Sequence, residues 1–129
     1  MSESVLCTIT DVMAKFWNQF GVAAFVMNYV PKGYKSAYIA YTFSVGSMFE
    51  RTTEEAVIYT FSESMDSMSI IHDAVCAAIP TEGVMVDLPN GMGKIRLSRI
   101  EPFSVSVSHT DNLFKIRKVT YGMTCYANV

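Results

Sequence analysis

The stretch that decides the fold runs from Ala56 to Pro80. It opens as Ala56-Val57-Ile58-Tyr59-Thr60-Phe61, passes through Ser62-Glu63-Ser64, and continues into Met65-Asp66 and beyond. Val57, Tyr59 and Phe61 repeat every second residue, the period of a strand. Met65, Met68, Ile71, Val75 and Ala78 repeat at helical spacing until Pro80 stops them. Ser62 or Ser64 is suited to accept a bond from the first free N–H groups, and Asp66 lies near the positive end of the helix dipole. A strand feeding a helix through a short polar link places both element types in one chain.

Upstream, the pattern predicts a β-hairpin. Ala37, Ile39, Tyr41, Phe43 and Val45 alternate with Tyr38, Ala40, Thr42 and Ser44 in a strand over 37–49, with Gly46 as a candidate bulge. The charged tip Glu50-Arg51-Thr52-Thr53-Glu54-Glu55 precedes the return strand. At about 3.3 Å per residue such a hairpin projects well beyond a small domain. Val22 to Tyr29 is predicted as a shorter strand, stopped by Pro31 and Gly33. From Val5 to Phe20 the apolar residues Val5, Leu6, Ile9, Val12, Met13, Phe16, Trp17 and Phe20 describe an amphipathic helix. Ser2 or Ser4 is its N-cap and Gly21 its left-handed stop.

Downstream, Val84 to Leu88 reads as a strand, and Pro89-Asn90-Gly91 as a turn into Lys94 to Ile100. Phe103, Val105 and Val107 alternate with Ser104, Ser106 and Ser108, the mark of a strand with one buried face. After Asp111-Asn112 a final strand covers Leu113 to Tyr126, with a bend expected at Gly122. The fold class is α+β over residues 1–129 as one domain. It comprises a mainly antiparallel sheet, two α-helices packed on one face and a long projecting β-hairpin.

Composition narrows the function. The 129 residues are 50% hydrophobic and 17% charged, with a mean hydropathy of +0.25. This is ample for a core and leaves apolar residues over for contacts between subunits. No apolar run is longer than that from Val22 to Met27, which falls far short of the roughly 20 residues that span a bilayer. No membrane segment and no secretory leader are expected. A net charge of −2 without a Lys/Arg cluster argues against nucleic acid as a direct ligand, and Lys115, Arg117 and Lys118 read as a solvated strand. Cys7, Cys76 and Cys125 are odd in number, widely spaced, and suited to a reducing cytosol.

Motifs for bond chemistry are missing from the sequence. Pro89-Asn90-Gly91-Met92-Gly93 lacks the spacing of a phosphate loop, and no serine sits in a nucleophile elbow. His72 and Asp73 are neighbours about 100° apart around a helix, which argues against a dyad. His109 beside Asp111 suggests a local turn bond. No catalytic, cofactor or metal residues are assigned, and no enzyme activity is expected. The nine methionines suit an irregular core first and adaptable contacts second.

The organisation itself carries the remaining signal. A short helix precedes the strand opening Ala37-Tyr38-Ile39-Ala40-Tyr41. A charged tip and the return Val57-Ile58-Tyr59-Thr60-Phe61 follow, then a helix over 64–79. The last strand contains Lys118-Val119-Thr120-Tyr121-Gly122-Met123-Thr124-Cys125-Tyr126. Over nearly the whole chain this order resembles the tail terminator proteins of long-tailed bacteriophages, also called tail completion or tail-to-head joining proteins. The resemblance implies a small α+β subunit of a homo-oligomeric, hexameric ring. That ring sits on the tail tube protein, stops tube polymerisation and meets the head-tail connector or stopper protein. DNA would pass through its lumen without specific binding. The protein would be assembled in the host cytoplasm and reside in the virion tail or neck. Contacts are expected from the hairpin over Val45 to Ala56, with Phe49, Glu50, Arg51 and Glu54 as interface residues; the competing reading of these four is a solvated turn. The alternatives are a head-completion, stopper or other neck protein, a small α+β ligand-binding domain, and an interaction module of a cellular protein.

Overall fold

Apolar residues of both helices and of most strands meet in one core, which organises the chain around a six-stranded, mostly antiparallel sheet. The computed structural model describes residues 3–44, 49–61, 65–107 and 114–127. The chain runs α1 (Glu3–Trp17), β1 (Ala23–Val26), β2 (Tyr38–Tyr41), β3 (Arg51–Phe61), α2 (Met65–Ala78), β4 (Val84–Asp87), β5 (Gly93–Val107) and β6 (Phe114–Ala127). The strand order is β1-β2-β3-β6-β5-β4. The α+β class and the two helices agree with the expectation from sequence.

Helix α1 buries Val5, Ile9, Met13, Phe16 and Trp17, one stripe at helical spacing. Its final turn tightens into a 3-10 turn at Asn18–Phe20, and Gly21, at φ 83°, ends it in the left-handed conformation expected of it. Asn18 ties this end to β1, donating to the Ala14 carbonyl at 2.7 Å and accepting the Ala24 N–H at 3.0 Å. Trp17 is wholly buried, with ring centroids 5.3 Å from Tyr121 and 5.9 Å from Tyr41.

Helix α2 buries Met68, Ile71 and Val75, with Ile79 just beyond its end. The carbonyls left open at this end are met by Arg99 of β5, which donates Nε to Ile79 O at 2.7 Å and Nη2 to Cys76 O at 3.0 Å. A cation at a helix C-terminus is favoured by the dipole as well as by these bonds. The expected N-caps Ser62 and Ser64 lie outside the described residues.

Strand β6 is the centre of the sheet, paired antiparallel with β3 on one side and β5 on the other. Ala56 and Ile58 of β3, Val119, Tyr121, Met123 and Cys125 of β6, and Ile95 and Leu97 of β5 all belong to the core. Registers that pair Ala56 with Val119 and Leu97 with Met123 set these residues on one face of the sheet. The opposite face is only partly wet. Ala40 and Val57 are buried there beneath Tyr38 and Tyr59, which stack at 4.6 Å and 18°, with Phe25 and Tyr34 edge-on beside them.

Several elements differ from the pattern read in the sequence. β1 and β2 run parallel, the one exception to the antiparallel ladders. β2 ends at Tyr41 rather than continuing to residue 49, because the Thr42 hydroxyl accepts the Glu55 N–H at 3.0 Å in place of a ladder carbonyl. The expected bulge at Gly46 and the hairpin residues Val45 to Met48 lie outside the described residues. β5 is one strand through Pro102, with its register to β6 broken between Arg99 and Ser104. Past this break Phe103 is buried, whereas Val105 and Val107 are about two-fifths exposed rather than sharing a buried face. His109 and Asp111 lie outside the described residues.

Candidate interaction surface at the start of the third strand

Phe49, Glu50, Arg51 and Glu54 stand in three different environments. Phe49 precedes β3 and leaves 68% of its surface exposed. Its φ of 67° is rare for a bulky side chain. The backbone is held there by the Phe49 N–H, which donates to Cys125 O at 3.1 Å, and by its ring, 5.5 Å from that of Tyr126. An exposed aromatic fixed in a costly backbone conformation is a feature of contact sites, where surrounding structure over-determines the strain. Glu50 beside it is exposed.

Arg51 begins β3 and lies across β6. Its Nη2 donates to Ser98 Oγ and to the Arg99 carbonyl on β5, both at 3.0 Å. The route passes over Gly122, where a Cβ would come within 2.9 Å of the guanidinium carbon. Gly122 therefore serves a close side-chain crossing.

Glu54 is 4% exposed. It shares the face of Ala56 and Ile58, so its side chain turns toward the core. Oε1 accepts the Thr42 hydroxyl at 2.8 Å, whereas Oε2 is buried with no hydrogen-bond partner among the described residues. The Tyr121 hydroxyl, on the residue paired with Glu54, donates to the Thr42 carbonyl. Burial is the main cause that pushes the Tyr121 hydroxyl far above its ordinary pKa, with the Glu54 charge adding to it. A small cavity of about 350 Å³ adjoins this region, lined by Thr42, Thr53, Glu54, Glu55, Lys118 and Thr120. Lys118 Nζ lies 3.9 Å from Glu55 Oε2 in its wall. The surface thus combines an apolar anchor, a bonded guanidinium and carboxylates, groups that suit recognition of another protein.

One polar cluster escaped the sequence pattern. His72 Nε2 lies 2.7 Å from Ser104 Oγ on β5, and Arg117 Nη1 donates to the same oxygen at 3.2 Å. Asp73 Oδ1 comes within 3.7 Å of His72 Nδ1, closer than their angular separation on the helix suggests. Burial first, then Arg117, holds the His72 pKa below its ordinary value. Ser104 is 32 residues from His72 in the chain, so only the pairing of strands could reveal the contact. The thiols of Cys7, Cys76 and Cys125 are free, and burial raises the Cys125 pKa. Among the described residues no helix is long and apolar enough to cross a membrane, and no group of three or more His, Cys, Asp or Glu residues converges as a metal site.

Compared with protein-family models and with curated proteins, the sequence matches none.

Proposed function

We propose that the chain is a non-enzymatic structural subunit that ends the tail tube of a long-tailed bacteriophage, a tail terminator. In this reading six copies form a ring on the last ring of tube subunits, halt polymerisation and present a second face to the head connector or stopper. DNA passes through the lumen without being held. Both helices form a layer on one face of the sheet, and the hairpin between β2 and β3 projects toward a neighbour. The protein is assembled in the host cytoplasm and resides in the virion. The order of helix, three strands, helix and three strands supports the reading.

The observation that carries it is Phe49, two-thirds exposed yet pinned in a left-handed conformation by Cys125 and Tyr126. An anchor fixed before contact loses little conformational entropy on binding. Phe49, Glu50 and Arg51 form the contact surface, and Glu54 supports it from behind through Thr42.

The test is arrest of tube growth. Purified tail-tube subunits are polymerised with and without the protein, and tube lengths are measured by negative-stain microscopy. The expected result is short tubes bearing a ring at one end. Tubes of unchanged length with bare ends, together with binding to isolated connectors, would instead favour another neck protein.

A further inference from the structure

The face of the sheet opposite the core cluster holds two guanidinium groups beside one serine. Arg51 pairs with Thr124 and Thr124 with Arg96, so the two arginines project on the same side of the sheet, one from each strand flanking β6. In the next row Gly122 pairs with Ser98, and because Val84 pairs with Leu97, Gly83 lies beside Ser98 on its other side. Each guanidinium rests on one of these glycines. Arg51 crosses Gly122, and a Cβ at Gly83 would come within 3.2 Å of the Arg96 guanidinium carbon. Arg51 Nη2 donates to Ser98 Oγ at 3.0 Å, and Arg96 Nη2 donates to Glu82 O at 3.1 Å. Ser98 is thus flanked by two cations, in a row where neither neighbour has a side chain to cover it.

The charges on this face leave the two arginines over. Lys94 lies 3.8 Å from Asp87, and Lys118 lies 3.9 Å from Glu55, so each lysine has a carboxylate. Among the described residues neither Arg51 nor Arg96 forms an ion pair, and their bonds go to hydroxyl and carbonyl oxygens. Glu50 and Glu82, their acidic neighbours, are exposed and pair with neither. A guanidinium carries five N–H donors, so these bonds occupy only part of each group. The Ser98 hydroxyl accepts from Arg51, which leaves its own hydrogen to be donated.

Two positive charges with a hydroxyl between them match a doubly charged tetrahedral oxyanion. A phosphate dianion presents oxygens in several directions, so one can meet each guanidinium and another the hydroxyl. A carboxylate has two oxygens in one plane and half the charge. Neighbouring strands lie about 4.8 Å apart, which sets the two guanidinia roughly one to two such spacings from each other. Charge-assisted bonds of about 2.8 Å on either side of a phosphate span that gap. Arg51 is exposed and Arg96 half-buried, so the remaining oxygen or ester group of the anion stays in solvent.

We propose that Arg51, Ser98 and Arg96 form a receptor for a phosphate dianion, either free or as the end of a monoester. The site stands whether or not the chain ends tail tubes.

The test follows the arginine Nε–Hε resonances of the full, nitrogen-15-labelled chain. Inorganic phosphate is titrated at pH 7.5, with ionic strength held constant by chloride. The chain has four arginines, and Arg99 and Arg117 project on the core side of the sheet, where they serve as references. Saturating shifts are expected at Arg51 and Arg96, with little movement at the other two. Arg51→Gln and Arg96→Gln should each weaken binding tenfold or more. Ser98→Ala, which removes only a hydroxyl, should weaken it about threefold and gives a second reading should an arginine variant fail to fold. Lys94→Gln, on the same face, should change it less than twofold. Phenyl phosphate separates the sources: affinity equal to that of phosphate assigns a monoester, and affinity tenfold weaker assigns the free anion. Dimethyl phosphate, a singly charged diester, and acetate should each bind at least tenfold more weakly than phosphate. Equal binding of either one overturns the proposal. So does an equal, unsaturated drift of all four arginine resonances, or an affinity unchanged by both glutamine substitutions.

Discussion

The guanidinium of Arg51 rests over Gly122 and ties β3 to β5 across the strand between them. Two residues 71 positions apart therefore act as one unit, the first supplying the bridge and the second the space beneath it.

Gly122→Ala should displace Arg51 and lose its bonds to Ser98 and Arg99. For a bridge at the surface this costs about 0.5–1.5 kcal/mol. In an Arg51→Ala background the same substitution should be neutral or stabilising, since alanine orders at less entropic cost than glycine. A double-mutant cycle in urea measures the coupling. Strictly additive costs would show that Arg51 is not what excludes the methyl group.

Thr42 and Glu54 should respond in opposite ways to loss of a polar group. Thr42→Val removes the one hydrogen-bonded partner that a buried carboxylate has among the described residues, and an acceptor for the Glu55 N–H, at a cost of about 1–3 kcal/mol. Glu54→Gln keeps an oxygen for Thr42 and removes a buried charge, so it should be neutral or stabilising. Fluorescence of Trp17, the sole tryptophan, reports both unfolding curves. A glutamine variant less stable than the valine variant would refute this ordering.

Acid should weaken the fold through His72. Its folded pKa lies below the ordinary 6.5, mainly through burial and then through Arg117. Between the folded and ordinary values the unfolded chain binds more protons than the native one. The His72 contribution to stability is therefore complete above about pH 6.5 and is lost as pH falls toward the folded pKa. Urea midpoints across pH 8 to 5 should show a decline that His72→Gln reduces. An identical slope in both proteins would exclude His72 as its source.

Phe49 separates stability from contact. Phe49→Gly relieves the positive φ but loses the packing against Tyr126, so the two effects should nearly cancel, within about 1 kcal/mol. Arrest of tube growth should nevertheless fall at least tenfold, as expected for loss of an aromatic anchor. Full arrest by the glycine variant would remove Phe49 from the contact.

Periodicity was enough to find both helices, because the buried stripe of α1 and the spacing from Met68 to Val75 lie within single elements. It was also enough to find most strands. It could not decide which face of a strand meets the core: in β3 the alternation of Val57 and Tyr59 is as regular as that of Ala56 and Ile58, and only the partners on β6 select the latter. The same ambiguity hid the inward turn of Glu54. Proline in a strand reads as an interruption, so β5 looked like two strands divided at Pro102. The parallel pairing of β1 with β2 and the crossing over Gly122 are relations between distant segments. They leave no local period, and Gly122 alone is equally compatible with a bend.

Load is a consequence of the central position of β6. Eleven register pairs join it to β3 and eleven to β5. Its hydrogen bonds run across the strand direction, so tension along β6 cannot open them one at a time from an end. It must shear both ladders together. A pull on the chain near Phe114 or Ala127 would therefore pass into the middle of the sheet and spread to both sides. The short end strands β1 and β4, with four paired positions each, are where a separating force would yield first.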